Sequence, residues 1–182
     1  MLAACGPAAP VEEAPPSAVK PTVVAVAPVE VVKPVVVAPG RVPEAAGVQG
    51  WLQEFNYRGR GWTPMTELRA TGEHGGERLY FNDVLAASWR AGAQEHPLGS
   101  AAVRELWSGD LMTLKGFALM HKTGASGVVG EGWFWFEVFG TTAEAKPTVA
   151  ETGARGCVGC HSHAVDFVHS PETPRMDEQP LL

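Results

Sequence analysis

The chain has few cysteines, few charges and no long apolar run. Only three of its 182 residues are cysteine, which excludes the dense disulfide framework of many small secreted domains. Its longest valine-rich stretches, 23–26 and 35–37, are far shorter than the roughly 20 apolar residues of a membrane-spanning helix. Acidic residues outnumber lysine and arginine by 20 to 14, so the basic surface expected of a nucleic-acid-binding protein is missing. The 45% hydrophobic content nevertheless predicts a globular domain.

Proline is concentrated in one early segment. Residues 6–44 consist mainly of proline, valine and alanine, with a few glutamates and lysines. Each proline fixes its own backbone angle and removes a hydrogen-bond donor, so regular helix is excluded here. Residues 6–44 are therefore predicted to be a semi-extended tether.

The residues before this tether are typical of the end of a bacterial lipoprotein signal. Residues 1–5 end in Leu-Ala-Ala-Cys, and in such signals the cysteine carries the lipid. We expect Cys5 to be lipidated, with the basic and apolar parts of the signal upstream of this chain. This predicts a protein on the periplasmic side of a bacterial cell envelope that meets the membrane only through its lipid anchor. The alternative is an incidental N-terminal cysteine.

The other two cysteines belong to one motif near the C-terminus. Cys157, Cys160 and His161 form Cys-x-x-Cys-His, the pattern of c-type haem attachment. Two thiols three positions apart on a helical turn can meet both vinyl groups of one porphyrin, and the next side chain then points at the iron. The motif predicts one covalent haem c with His161 as the proximal ligand. A zinc site completed by His163 and a Cys157–Cys160 disulfide are the alternatives.

Little chain follows this motif. Its one methionine, Met176, lies between Pro174 and Pro180, a poor platform for a second axial ligand. We therefore expect the haem pocket to come from upstream, within a haem domain at 45–175 that is followed by a tail at 176–182.

Hydrophobic periodicity predicts helices first and strands later. Apolar residues at helical spacing indicate a helix over 45–57, and Asn82 is a good N-cap for a second helix that Gly92 would close. A short strand is predicted at 78–81 and longer ones at 101–107, 111–121 and 133–139. The predicted fold is α+β: an antiparallel sheet with flanking helices and a C-terminal haem-attachment segment.

One carboxylate lies on an aromatic strand. Along 133–139, Trp133, Trp135 and Glu137 share one face, while Phe134 and Phe136 share the other. A carboxylate on a tryptophan-lined face must be paired or lose its charge. Glu137 is therefore a candidate proton acceptor beside the haem, and the alternative is a structural salt bridge with Arg104 or Arg155.

Eight short stretches follow one another in a specific order and together cover roughly 50–170. They are His74-Gly75-Gly76, Asn82 with Ala86 and Ala87, Pro97 to Ser100, Val103 to Leu106, Met120 to Lys122, Gly132 to Phe136, Cys157 to His161 and Asp166 to Val168. Their order is similar to that in the cytochrome P-460 family, which includes the cytochromes c′-beta.

The chain thus resembles this family, and the resemblance implies a homodimer with a five-coordinate haem. The position opposite His161 would be open to small nitrogen species. Family members that oxidise hydroxylamine carry a lysine crosslink to the porphyrin, whereas c′-beta members lack it and bind nitric oxide in an apolar pocket. Arg104 aligns with the crosslinking lysine, and an always-protonated guanidinium is a poor substitute nucleophile. Phe117, Phe134 and Phe136 are expected to form the distal wall.

Other interpretations remain open at this point. A six-coordinate haem would indicate a periplasmic electron-transfer protein with a redox partner cytochrome, and His121 is the histidine to consider as a second ligand. A zinc-binding module is the third interpretation. Lys115 and Lys122 could serve as the crosslinking residue if the alignment is shifted, although we expect both to be solvent-exposed.

Overall fold

The computed structural model describes residue 38 and residues 40–71, 75–127 and 129–171. These residues belong to one compact unit, Pro34–Leu182. Cys5, most of the tether predicted at 6–44 and the tail at 176–182 lie outside the described residues.

An antiparallel sheet forms the centre of this unit. Its strands are β1 (Trp62–Pro64), β2 (Arg69–Ala70), β3 (Gly76–Asn82), β4 (Ala101–Trp107), β5 (Leu114–Lys122), β6 (Trp133–Phe139) and β7 (Pro147–Thr152). The hydrogen-bonded order is β1-β3-β4-β5-β6-β7, and β2 also pairs with β3. Every one of these pairings is antiparallel. The predicted α+β class with an antiparallel sheet is confirmed.

The central strands follow the sequence prediction, and the outer ones do not. β4 and β6 have the predicted bounds, but β5 begins at Leu114 rather than at residue 111. Residues 108–113 form a turn instead, in which Asp110 accepts hydrogen bonds from the Ser108 hydroxyl and the Met112 amide. The prediction also missed β1, β2 and β7, because they are short and two of them contain proline, which is typical of edge strands.

Three α-helices lie among the described residues: α1 (Val48–Gln53), α2 (Asp83–Arg90) and α3 (Arg155–His161). Short 3₁₀ turns flank α1 at Ala45–Gly47 and Asn56–Arg58. The helix predicted over 45–57 is interrupted because Phe55 has a φ of 56°, in the left-handed region. None of the helices in this described part is long and apolar enough to cross a membrane.

The two faces of the sheet bury separate clusters. On the face that packs against α1, here called the α1 face, the buried core includes Trp51, Leu52, Tyr57, Val103, Phe117, Leu119, Phe136 and Val138. On the opposite face, called the α3 face, it includes Phe81, Leu85, Ala102, Met120, Trp133, Trp135, Phe167 and Val168. Because successive strand residues alternate between faces, each central strand contributes to both clusters.

The α1 face contains a buried carboxylate. Glu105 is 0% exposed and accepts hydrogen bonds from Tyr57 Oη at 2.7 Å, Arg58 Nε at 2.8 Å and Trp107 Nε1 at 3.0 Å. Burial, together with the bond to Glu105, raises the pKa of Tyr57 far above its ordinary value. This cluster joins β4 to the 3₁₀ turn that follows α1.

Asn82 connects three parts of the backbone. Its Oδ1 accepts from the amides of Leu85 and Ala101, both at 3.0 Å, so it caps α2 as predicted and also contacts the start of β4. Its Nδ2 donates to the carbonyls of Gly40 at 2.8 Å and Gly99 at 2.7 Å. One buried amide therefore satisfies four backbone groups.

Replacing Asn82 should destabilise the fold strongly. Asn82→Ala removes a helix cap and leaves buried donors and acceptors unpaired, so we expect a loss of about 2–4 kcal/mol. Urea unfolding followed by circular dichroism measures it. Gln94→Ala, which removes an exposed side chain that donates to the Gly92 carbonyl at 3.3 Å, is the control and should change stability by less than about 0.5 kcal/mol. Equal losses in both variants would contradict this role.

Candidate functional site

The two motif cysteines lie one turn apart on α3. Cys157 is half-buried against the α3-face cluster, and Cys160 is exposed. Neither sulfur is in a disulfide, so the structure does not support the disulfide alternative. No residue of α3 is fully buried, so both thiols are accessible to a reaction partner. Burial, and then the nearby carboxylate of Glu137, raises the pKa of Cys157.

The motif histidine has a defined hydrogen-bond partner. His161 Nδ1 lies 2.7 Å from the Phe167 carbonyl oxygen. A carbonyl oxygen can only accept, so Nδ1 carries the proton and the Nε2 lone pair is the one that can bind a metal. Histidines that bind metals usually donate their other ring N–H in this way. The hydrogen bond thus fixes the tautomer that His161 would need to bind a metal through Nε2.

Trp135 lies directly beside this histidine on the α3 face. The two ring centroids are 4.8 Å apart in an edge-on arrangement, and the His169 ring is 4.6 Å from His161 on another side. The indole Nε1 of Trp135 is buried and has no hydrogen-bond partner among the described residues. A buried donor without an acceptor is costly, so this position suits a bound group that supplies one.

The turn after α3 is anchored by a side chain that the sequence analysis did not identify. Asp166 accepts from Lys122 Nζ and the His96 amide, both at 2.7 Å, from Trp133 Nε1 at 3.3 Å and from the Ser126 hydroxyl. Its side chain is 2% exposed. Burial alone would raise the pKa of Asp166, but these hydrogen bonds, Lys122 first, outweigh it and lower the pKa below its ordinary value.

Lys122 is buried rather than solvated. Its side chain is 1% exposed, and it pairs with Asp166 at 2.7 Å and with Glu95 at 3.1 Å. The expectation of a solvent-exposed lysine is therefore wrong at this position. The alternation along β5 indicates burial, since Lys122 shares a face with Met120. The charged partner could not be identified in the same way, because Asp166 lies 44 residues downstream.

A row of half-buried side chains crosses the α3 face next to Trp135. Leu79, Arg104, Ala118, Glu137 and Val149 are paired side by side across β3 to β7, and we call them the open row. All five are half-buried. They extend over four strand spacings of about 4.8 Å each, or about 19 Å.

The preceding row on the same face is covered except at its β7 end. Phe81, Ala102, Met120 and Trp135 are buried and pack with residues of α2 and α3, whereas Glu151 on β7 is exposed. The open row is thus a mostly apolar platform that begins where the helices end.

The two predicted polar site residues both lie in this row. Arg104 and Glu137 are separated only by Ala118 on the intervening strand. The guanidinium of Arg104 pairs with Glu77, with Nε 2.7 Å from Oε2, whereas Glu137 accepts a hydrogen bond from Thr148 Oγ1 at 2.9 Å. The alternative of an Arg104–Glu137 salt bridge is therefore not observed.

The three phenylalanines expected as a distal wall lie on the other side of the sheet. Phe117, Phe134 and Phe136 pack in the α1-face cluster, whereas His161 contacts Trp135 on the α3 face. The strand alternation sends them to the face opposite the one on which His161 contacts Trp135. The half-buried side chains next to Trp135 on the α3 face are those of the open row.

His121 does not lie with His161 either. It is on β5 between Met120 and Lys122, which both point to the α3 face, and burial lowers its pKa. It therefore faces the α1 side of the sheet. Among the described residues, no group of three or more histidine, cysteine, aspartate or glutamate side chains is arranged to hold a metal ion, so the geometry gives the zinc interpretation no support.

The buried, hydrogen-bonded carboxylate of Asp166 should make the free energy of unfolding depend on pH in the acidic range. Because the pKa of Asp166 is lowered in the fold, its contribution is complete at neutral pH and is lost as pH falls below about 4. Asp166→Asn lacks this contribution, so it should cost about 3 kcal/mol at pH 7 and less at pH 3. Urea unfolding of both proteins at several pH values measures this difference. A difference that stays constant with pH would show that the carboxylate charge is not involved.

Comparison with known proteins assigns no family to the chain. No protein-family model matches it, and no curated protein matches it.

Proposed function

We propose that this protein is a monohaem c-type cytochrome with one open axial position, of the cytochrome P-460 and c′-beta type. Cys157 and Cys160 would hold the haem through thioethers, and His161 would be the proximal iron ligand. The single observation that carries the proposal is the 2.7 Å hydrogen bond from His161 Nδ1 to Phe167 O, within a Cys-x-x-Cys-His helix. It gives the imidazole the protonation state and orientation that an iron ligand needs.

The surroundings of His161 fit a large planar cofactor. The open row provides three apolar side chains beside the buried Trp135, and two accessible thiols lie on the adjacent helix. The unpaired Trp135 Nε1 can donate to a carboxylate of such a cofactor. The antiparallel sheet with flanking helices also agrees with the fold that the family resemblance implies.

Bound haem iron held by one protein nitrogen supplies a coordination position for small uncharged ligands. We propose nitric oxide and hydroxylamine as the ligand class. Arg104 and Glu137 make the platform partly polar, so it differs from a purely apolar wall. Glu137 can accept a proton from a hydrogen-bearing ligand such as hydroxylamine, whereas nitric oxide has none to give.

We propose that the haem domain is anchored to the cell envelope and forms a dimer. A lipidated Cys5 and the tether at 6–44 would hold the haem domain at the periplasmic side of the envelope, and we propose a homodimer on the family resemblance. Cysteine-attached haem is consistent with an oxidising compartment outside the cytoplasm.

Haem attachment is the first test. When the full chain is produced together with a c-type haem-attachment system, haem should survive denaturation and give a c-type pyridine spectrum. Cys157→Ser combined with Cys160→Ser should abolish this covalent haem, since no thioether can form. His161→Gly should keep the thioethers but change the absorption spectrum, and added imidazole should restore it. His163→Ala, which changes an exposed neighbour, is the control and should leave both measurements unchanged.

The open coordination site is tested by the same spectra. A high-spin spectrum that changes on adding nitric oxide would support the proposal. A low-spin spectrum that ignores nitric oxide would indicate a six-coordinate electron carrier. A chain with stoichiometric zinc and no haem would contradict the proposal outright.

The role of Glu137 separates ligand binding from hydroxylamine chemistry. Glu137→Gln keeps the shape but cannot accept a proton, so hydroxylamine oxidation should slow by about 100-fold or more. Nitric oxide affinity should change by less than about threefold, because that ligand has no proton to transfer. Stopped-flow spectroscopy with each ligand measures both quantities, with ferricyanide added to accept the electrons that hydroxylamine gives up.

Glu151→Gln is the matched control for this variant. Glu151 lies on the same face, paired with Trp135, but is exposed on the edge strand. An equal effect of both substitutions on hydroxylamine would contradict a specific role for Glu137. Wild-type protein that binds nitric oxide without oxidising hydroxylamine would identify a binding protein instead.

A further inference from the structure

We propose that Asp166 is a positioning residue for the iron ligand, acting through the backbone of Phe167. Its carboxylate fixes the turn that points the Phe167 carbonyl at His161 Nδ1. The inference rests on the proposed function in one respect, namely that His161 binds iron. The hydrogen bond itself is a property of the protein chain.

The turn that carries this carbonyl has an unfavourable backbone. Asp166 and Phe167 have φ values of 45° and 64°, both in the left-handed region that side chains other than glycine avoid. Two such residues in succession are unfavourable, because a Cβ atom crowds the backbone in this region. Within the turn, the amides of Ala164, Phe167 and Val168 donate to local backbone carbonyls at 3.0, 3.3 and 2.9 Å, and the bond from Phe167 is the longest of the three. Contacts from elsewhere must therefore hold the turn in place.

The Asp166 carboxylate supplies those contacts. One oxygen accepts from Lys122 Nζ and the His96 amide, and the other accepts from Ser126 Oγ and Trp133 Nε1. All four acceptor positions of the carboxylate are used. The donors come from β5, β6 and two separate loops, so the side chain connects the turn to four parts of the fold.

The apolar neighbours of Asp166 prevent the turn from rotating. The side chains of Phe167 and Val168 are 8% and 2% exposed and pack in the α3-face cluster. With Asp166 bonded on one side and these side chains buried on the other, the direction of the Phe167 carbonyl is determined. His161 Nδ1 then donates to this carbonyl at 2.7 Å, which fixes its tautomer.

Loss of the Asp166 hydrogen bonds should therefore alter the bond between His161 and the iron. Without the Nδ1–H···O=C bond, the imidazole is a weaker electron donor and can rotate. Loss of the hydrogen-bond partner of a metal-binding histidine typically weakens metal binding by about 10- to 100-fold. The same loss should make ferric iron less stable relative to ferrous iron, so the reduction potential should rise.

The experiment compares two substitutions of buried carboxylates. Asp166→Asn presents an amide N–H₂ to donors that need an acceptor, so at least one of the four bonds must break. Glu105→Gln makes the equivalent change on the α1 face, away from His161, and controls for general destabilisation. Ser126→Ala removes a single donor to Asp166 and serves if Asp166→Asn does not fold.

Two measurements report on His161 itself rather than on the free energy of unfolding. The first is ¹⁵N NMR of the His161 ring in the full-length chain, which reports the nitrogen that carries the proton. The second is acid titration of the haem-loaded chain by absorption, which reports the pH at which His161 leaves the iron. A 10- to 100-fold weaker bond moves that pH up by about 1–2 units.

The outcomes separate this inference from the proposed function. We expect Asp166→Asn to shift part of the His161 ring proton from Nδ1 to Nε2 in the haem-free chain and to raise the dissociation pH of the haem-loaded chain, with a smaller change in Ser126→Ala and none in Glu105→Gln. Equal behaviour of Asp166→Asn and Glu105→Gln would overturn the positioning role, even if haem binds normally. If the chain takes up no haem, the proposed function fails, and the NMR result still decides whether Asp166 fixes the tautomer.

Discussion

The buried ion pair between Lys122 and Asp166 attaches the C-terminal segment to the sheet. α3 contributes no fully buried residue, so its position depends largely on the turn that follows it. Asp166 holds that turn with a carboxylate whose side chain is 2% exposed, and Lys122 supplies the opposite charge from the end of β5. Two charges out of water are tolerated only when their hydrogen bonds are complete, as they are for Asp166. The orientation of His161 depends on this pair.

The alternation of side chains along the central strands decides which residues can share a site. A strand sends every second residue to the same face, so Phe136 and Glu137 are neighbours in sequence but lie on opposite sides of the sheet. Arg104 and Glu137, which are 33 residues apart, lie in one row instead. The row of side chains next to Trp135 is therefore partly polar. Phe117, Phe134 and Phe136, which the sequence predicts as a distal wall, pack in the opposite core.

Much of the fold follows from local sequence patterns, and the site follows from them only in part. β4, β6 and the Asn82 cap could be predicted because their signals lie within a few residues. The face of Glu137 was predictable from its period of two, but the face of His161 was not, since α3 reaches the sheet through a turn with two left-handed residues. The sequence predicts an exposed Lys122, because its partner, Asp166, lies 44 residues away and no local pattern indicates the pair. Contacts between distant residues leave no local periodicity.

The exposure of α3 has a consequence for the order of assembly. Because Cys160 is exposed and Cys157 is only half-buried, both sulfurs remain accessible after the sheet has formed. The hydrogen bonds of the Asp166 anchor involve no atom of either thiol. A group that reacts with these thiols, such as the proposed haem, would therefore meet a surface that the folded sheet already provides.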